Sequence, residues 1–61
     1  MTLLTPQEVA DILKISYDKT LDFIKYSGIE YVQIGRQYRI EESKLTAFLK
    51  KSSYININPD I

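Results

Sequence analysis

The chain has 61 residues, with eight basic and eight acidic side chains and neither cysteine nor histidine. A chain of this size buries only about 60% of the surface that its unfolded form exposes, so we expect one small domain with a thin core. The missing residue types exclude disulfides, thiolate or imidazole zinc sites and the usual nucleophile and base pairs of hydrolases, and no apolar run approaches the about 20 residues of a membrane span.

The first predicted element is a helix with a well-marked N-terminus. Thr5 can cap it while the Glu8 carboxylate reaches back to the Thr5 amide, and Pro6 occupies the first helical position, where its missing N–H is harmless. Leu4 and Val9 stand at the two ends of a hydrophobic staple. An apolar stripe at i, i+3, i+4 spacing then extends the helix from about residue 6 to residue 13.

A second helix is predicted after a link of only two residues, Lys14 and Ile15, and so short a link favours helix-turn-helix geometry. Ser16 is suited to cap this helix, and Gly28 can take the left-handed conformation that ends one. At 100° per residue one side is apolar and predicted to be buried, and the other is polar. The apolar side comprises Tyr17, Thr20, Leu21, Phe23 and Ile24. The polar side comprises Asp18, Lys19, Asp22, Lys25 and Tyr26.

The apolar period then changes from 3.6 to 2, which predicts a β-hairpin. Residues opposite each other in a hairpin share a face, and directing every apolar side chain inward requires Ile34 to pair with Tyr38. This register predicts a three-residue loop, Gly35-Arg36-Gln37, and puts Gln33 opposite Arg39 on the outer face. A two-residue turn would direct half of the apolar side chains outward unless a bulge corrected it.

A third helix is predicted to open over residues 41–43, where Glu41 and Glu42 suit its positive N-terminal end, and to close at Lys50 and Lys51. Helix capping explains the two adjacent glutamates, and we predict no catalytic and no metal site. The domain is predicted over residues 1–51, followed by a flexible or partner-binding tail over residues 52–61. The predicted core comprises Leu4, Val9, Ile12, Leu13, Ile15, Leu21, Phe23, Ile24, Val32, Ile34, Tyr38, Ile40, Leu45, Phe48 and Leu49.

Five segments together suggest a family: Leu4–Leu13, Ile15-Ser16, Ser27-Gly28, Ile34–Ile40 and Leu45–Leu49. Over residues 3–49 the chain resembles the excisionase family of small winged helix-turn-helix proteins, which are related to the DNA-binding domain of MerR-type regulators. The resemblance implies an α+β fold with two N-terminal helices, a β-hairpin wing and a C-terminal helix. It also implies that the second helix enters the major groove of DNA and that the wing reaches phosphates or the minor groove.

The resemblance places Tyr17, Asp18, Lys19 and Asp22 at the exposed recognition positions and Arg36, Gln37 and Arg39 in the wing. The chemistry of the residues adds Ser16 and Lys25 as candidate contacts to phosphates or base edges. The predicted place of Gln33 opposite Arg39 makes it a fourth candidate DNA contact in the wing. Some of these side chains also fit a purely structural role. Asp18 suits the dipole of the first helical turn, Asp22 can pair with Lys25 at i, i+3, and arginines on an exposed hairpin favour solubility.

The predicted function is sequence-specific binding of double-stranded DNA, and the resemblance implies an excisionase-like recombination directionality factor or, as the alternative, a small MerR-like transcriptional regulator or plasmid protein. Members of the resembled family act as recombination directionality factors, which bend attachment-site DNA cooperatively and assist a tyrosine recombinase, and others are transcriptional regulators or plasmid proteins. We therefore expect a cytoplasmic, bacterial or phage-encoded protein that is not an enzyme. Its partners would be DNA, neighbouring copies of itself and a recombinase, without a cofactor, small-molecule ligand or membrane. An alternative of another class is a protein-interaction module that uses the face of the second helix. The net charge of zero favours this alternative, because it is a weak electrostatic footprint for nucleic acid.

Overall fold

The computed structural model describes residues 1–51, which form three helices and three short strands. In chain order the elements are β1 (Leu3–Leu4), α1 (Pro6–Leu13), α2 (Tyr17–Tyr26), β2 (Val32–Ile34), β3 (Gln37–Glu41) and α3 (Glu42–Lys51). The strands make an antiparallel sheet in the order β1-β3-β2. The predicted α+β fold is confirmed, and the predicted tail over residues 52–61 lies outside the described residues.

Helix α1 has the predicted bounds, and its start is held by a capping box. The Glu8 amide donates to Thr5 Oγ1 at 3.0 Å, and the Thr5 amide donates to Glu8 Oε1 at 2.8 Å. The helix ends at Lys14, which is left-handed at φ 58 and donates its amide to the Ala10 carbonyl. This sharp reversal leaves room for only one more residue, Ile15, before the cap of α2.

Helix α2 begins as predicted, because Ser16 Oγ accepts a hydrogen bond from the Lys19 amide at 3.2 Å. It ends at Tyr26, two residues before Gly28, whose φ of +89 turns the chain toward β2. The predicted division into two faces needs one correction. Tyr17 begins the helix with its side chain 47% exposed, so it does not belong to the buried side.

The register predicted for the hairpin is wrong by one residue. In the structure Ile34 pairs with Gln37 and Gln33 pairs with Tyr38 around a two-residue turn. Gly35 occupies the first position of that turn with φ +61, which is the position that type II′ hairpin turns reserve for glycine. The turn geometry therefore sets the register, and no bulge restores the inward direction of the β2 aliphatic side chains.

The outer face of the sheet consequently carries exposed aliphatic side chains. Val32 pairs with Arg39 and Ile34 with Gln37 on this face, and the two aliphatic residues are 44% and 65% exposed. The inner face follows the prediction for β3, since Ile40 is fully buried and Tyr38 is half-buried against the core.

The core lies between the inner face of the sheet and the three helices. Its buried apolar residues are Leu4, Val9, Ala10, Ile24, Ile29, Ile40 and Leu45, with Leu13, Phe23, Tyr38 and Phe48 packed at its edge. Ala10 and Ile29 are absent from the predicted core. Conversely, five residues predicted to be core are exposed: Ile12, Ile15, Val32, Ile34 and Leu49.

Strand β1 was not predicted, and it ties the N-terminus to the end of the hairpin. Leu4 pairs with Ile40 and Leu3 with Glu41, and the Glu42 amide donates to the Thr2 carbonyl at 2.8 Å. Helix α3 starts at this junction, in agreement with the predicted opening over residues 41–43. The N-terminal segment thus braces the base of the hairpin against α3.

Candidate nucleic-acid interface

Helix α2 presents a polar surface on the side opposite the core. Thr20 and Ile24 are buried and fix the helix on the domain. The side chains that face outward are Tyr17, Asp18, Lys19, Asp22, Lys25 and Tyr26, and Ser16 is exposed at the N-cap. All six candidate residues of the second helix are therefore exposed, and the polar side of the helix carries two carboxylates and two ammonium groups.

Lys25 connects this surface to the hairpin. Its ammonium nitrogen lies 6.0 Å from the centre of the Tyr38 ring in β3, at the outer limit of a cation–π contact. The ring of Tyr31 meets Tyr38 edge-on, with centres 5.5 Å apart. The spacing allowed Asp22 to pair with Lys25, but this pair is not formed. The ion pair found within residues 1–51 joins Lys44 and Glu30. Lys25 is thus directed toward the wing.

Tyr31 lies beside the contact between Lys25 and Tyr38, and it was not among the candidate residues predicted from the sequence. It precedes β2, is 40% exposed, and packs its ring against that of Tyr38. Its place in the alternating pattern beside Val32 and Gln33 was the one indication in the sequence, but the incorrect register hid its contact with Tyr38.

Arg36 occupies the tip of the wing. It follows Gly35 in the two-residue turn and is exposed. The turn carries no acidic residue, and no described carboxylate lies within ion-pair distance of the Arg36 guanidinium. Such an exposed guanidinium is well suited to contact a phosphate or to enter a narrow minor groove.

Arg39 is placed differently, since its guanidinium lies against the strand. One terminal nitrogen donates to the Tyr38 carbonyl at 2.7 Å and the other to Gln37 Oε1 at 2.9 Å. The side chain is half-buried. A guanidinium has about five N–H donors, so these two bonds orient the group without exhausting it.

Gln33 does not lie where the sequence predicted. It is opposite Tyr38 on the inner side of the hairpin, whereas Arg39 and Gln37 are on the outer side. Its side-chain amide donates to the Gly35 carbonyl at 3.1 Å and so supports the turn. The four candidate wing residues are therefore divided between the two faces and the tip, and they do not form one continuous patch.

Within residues 1–51, no group of His, Cys, Asp and Glu side chains is arranged to hold a metal ion. No helix in that part of the chain is long and apolar enough to cross a membrane.

Two consecutive helices joined by a tight turn, then an antiparallel hairpin and a third helix, define the class of small winged helix-turn-helix proteins. A family model described as a helix-turn-helix domain matches residues 3–53, and the chain belongs to this family. It is therefore a DNA-binding helix-turn-helix protein. Comparison with curated proteins and with solved structures yielded no match to either.

Proposed function

We propose that this protein is an excisionase-like recombination directionality factor, which binds attachment-site DNA cooperatively, bends it and assists a tyrosine recombinase. The observation that carries the proposal is the adjacency of α2 and the wing, the two elements proposed to contact DNA, since Lys25 of α2 lies 6.0 Å from the centre of the Tyr38 ring while Arg36 is exposed at the wing tip. The resemblance over residues 3–49 supports the assignment to recombination, and the helix-turn-helix family supports DNA as the ligand.

In the proposed complex α2 lies in the major groove. The Ser16 and Tyr17 hydroxyls donate to a phosphate near the start of the helix, and Lys19 and Lys25 contact phosphates or a guanine edge. The carboxylates of Asp18 and Asp22 are repelled by DNA phosphates, and they bind favourably only where they accept from a cytosine amino group. They therefore contribute to sequence preference and not to general affinity. This division of roles follows from the balanced charge of the α2 surface.

The wing supplies the affinity in this proposal. Arg36 contacts a phosphate or the minor groove from the tip, and Arg39 and Gln37 form a hydrogen-bonded pair on the outer face beside it. Gln33 supports the turn from the inner face. A single module of this kind covers about 600 to 1,000 Å² of surface, and about four basic contacts give a log–log salt slope near −4. One protomer therefore binds weakly, which favours repeated half-sites.

The test is fluorescence anisotropy with DNA that flanks the gene, at about 50 mM and about 200 mM salt. The double variant Arg36→Ala, Arg39→Ala is compared with Lys50→Ala, Lys51→Ala, which removes the same charge from the end of α3. We expect the wing variant to lose roughly tenfold or more in affinity and the α3 variant to lose much less. Equal losses would overturn the assignment of the wing, and no binding at low salt would overturn DNA recognition by this surface.

The recombination role needs a separate measurement. Excision of the element by its own tyrosine recombinase, with and without the protein, tests it directly, and a circular-permutation gel shift measures the bend. Salt-sensitive DNA binding without stimulation of excision would instead indicate a small MerR-like transcriptional regulator or a plasmid protein.

A second candidate function is a protein-interaction module. Two features favour it, namely the balanced charge of the α2 surface and the exposed aliphatic side chains of Val32 and Ile34 on the sheet. Binding of the recombinase in the absence of DNA, weakened in Lys19→Ala or Lys25→Ala variants while no salt-sensitive DNA binding is detected, would support this function over DNA recognition.

A further inference from the structure

Strand β2 has an open edge. In the sheet order β1-β3-β2 its neighbour among residues 1–51 is β3, and Val32, Gln33 and Ile34 are all exposed. In a hairpin with a two-residue turn, the residues next to the turn direct their main-chain groups to the partner strand, and the direction alternates from there. The N–H and C=O of Gln33 therefore point away from β3. No proline or charged residue within β2 protects this edge against pairing.

We propose that the β2 edge pairs with β2 of a second copy of this chain, antiparallel and centred on Gln33. Around such a two-fold axis Gln33 faces itself and its outward main-chain groups form two reciprocal hydrogen bonds. Val32 then lies opposite Ile34 of the second copy. One step further out Tyr31 lies opposite Gly35, and beyond it Glu30 opposite Arg36.

The charges at the two ends of this pairing are complementary. Glu30 has a 70% exposed side chain that contacts Lys44 at 3.5 Å, and a carboxylate can accept from a further donor. Arg36 is exposed at the wing tip. The symmetric register shifted toward the N-terminus, centred on Val32, would instead put Glu30 opposite Ile34. Of these two registers, only the one centred on Gln33 places Glu30 opposite Arg36.

The apolar side chains agree with the same register. Val32 and Ile34, 44% and 65% exposed, point to the outer face in each copy, and pairing brings all four aliphatic side chains together there. Cross-strand aliphatic pairs of this kind stabilise antiparallel sheets. Tyr31 would cover Gly35 of the second copy, where no protein atom lies within 4 Å of a side-chain position.

The contact is small, so it is reversible. A strand of three residues buries less than the about 1,000 Å² that a stable interface needs. Because the contact is symmetric, it joins two copies and does not extend to a third. The proposal concerns the protein without DNA, and its success or failure is therefore separate from that of the function proposed above. Detecting this dimer requires a method that captures a short-lived pair of chains.

Cysteine trapping is such a method, because the chain contains no cysteine of its own. In the proposed register the two Gln33 Cα atoms are about 5.5 Å apart, within the range that a disulfide spans. The Gln33→Cys variant should form a disulfide dimer under mild oxidation roughly tenfold faster than Gln7→Cys, an exposed control position on α1. A mixture of Val32→Cys and Ile34→Cys chains should form the mixed dimer in preference to either symmetric one.

Equal rates for Gln33→Cys and Gln7→Cys would overturn the proposal. If in addition the new thiol reacted slowly with a small thiol reagent, the edge would be covered by another segment of the chain and not by a second copy. Charge reversal tests the register. In the Gln33→Cys background Arg36→Glu should slow the dimer, and adding Glu30→Arg should restore it. Absence of restoration would overturn the Gln33-centred register.

Discussion

Thr20 is the buried polar side chain of the described chain, and its hydroxyl is fully accounted for. Thr20 Oγ1 donates to the Ser16 carbonyl at 2.9 Å, and the Thr20 amide donates to the same oxygen at 3.0 Å. The carbonyl that opens α2 therefore keeps a hydrogen bond even without the hydroxyl. The methyl group of Thr20, in contrast, is buried in the small core.

We expect Thr20→Val to change the free energy of unfolding by less than about 1 kcal/mol, because the shape is retained and the Ser16 carbonyl stays bonded. Thr20→Ser keeps the hydroxyl but removes the buried methyl, and it should destabilise by about 1 kcal/mol. Urea unfolding followed by circular dichroism measures both. A Thr20→Val variant less stable than Thr20→Ser would show that the hydroxyl, and not the methyl, holds α2 in place.

Glu41 is a titratable residue whose environment favours its charged form. A hydrogen bond from the Ser43 hydroxyl, followed by one from the Ser43 amide at 2.6 Å, lowers the pKa of the Glu41 carboxyl. The carboxylate thus closes the first turn of α3 from the end of β3. Since its pKa is lower in the folded protein, its contribution to stability is complete above the ordinary glutamate value of about 4.3 and is lost as the pH falls through the lowered value.

The corresponding prediction is a difference in the acid dependence of stability. Glu41→Gln should melt below the native protein at pH 7, and the two melting temperatures should converge in acid once Glu41 is protonated. Glu42→Gln is the control, because the Glu42 carboxylate accepts no hydrogen bond from residues 1–51. Thermal unfolding between neutral pH and about pH 3 provides the comparison. A constant difference across that range would contradict the role of the Glu41 charge.

At the scale of single elements, the helix starts were predictable and the hairpin register was not. The caps at Thr5 and Ser16 depend on side chains within three or four positions, so the local sequence contains all that is needed. The hairpin prediction assumed that every apolar residue points inward. Gly35 with φ +61 favours a two-residue turn instead, and the aliphatic residues of β2 face outward as a result.

The capping box gives a prediction for the stability of α1. Thr5→Ala removes the acceptor of the Glu8 amide and should destabilise the protein by about 1 kcal/mol, which corresponds to a melting temperature about 4 to 8 °C lower in a domain of this size. Thr46→Ala makes the same chemical change inside α3, where alanine is the better helix former. That control should be neutral or stabilising, and equal losses in the two variants would argue against a special role of the cap.

At the scale of the whole molecule, the sequence did not predict that the N-terminal segment forms a strand of the sheet. Strand β1 has only two residues, and its pairing of Leu4 with Ile40 joins positions far apart in the chain, which no local pattern indicates. The contact between Lys25 and Tyr38 likewise depends on how α2 packs against the hairpin. The candidate residues on one helix were thus predictable as a surface, whereas the relation between that helix and the wing required the tertiary structure.

The placement of β1 predicts that alanine substitutions at its two leucines will have very different effects on stability. Leu4 is 6% exposed in the core, together with Val9 and Ile40, whereas Leu3 is 42% exposed on the outer face. Leu4→Ala should cost about 2 to 5 kcal/mol, against a total stability of about 3 to 9 kcal/mol for a chain of this length, and should leave the protein largely unfolded at 37 °C. Leu3→Ala should cost less than about 1 kcal/mol.

Thermal unfolding by circular dichroism distinguishes the two leucine variants. Because both substitutions remove the same atoms from the same strand, they differ only in which face of the sheet loses them. If the two losses were similar, β1 would not be packed on the core as described. A large loss confined to Leu4→Ala would show that the N-terminal segment is needed to hold the hairpin and α3 together, and so to keep the wing beside α2.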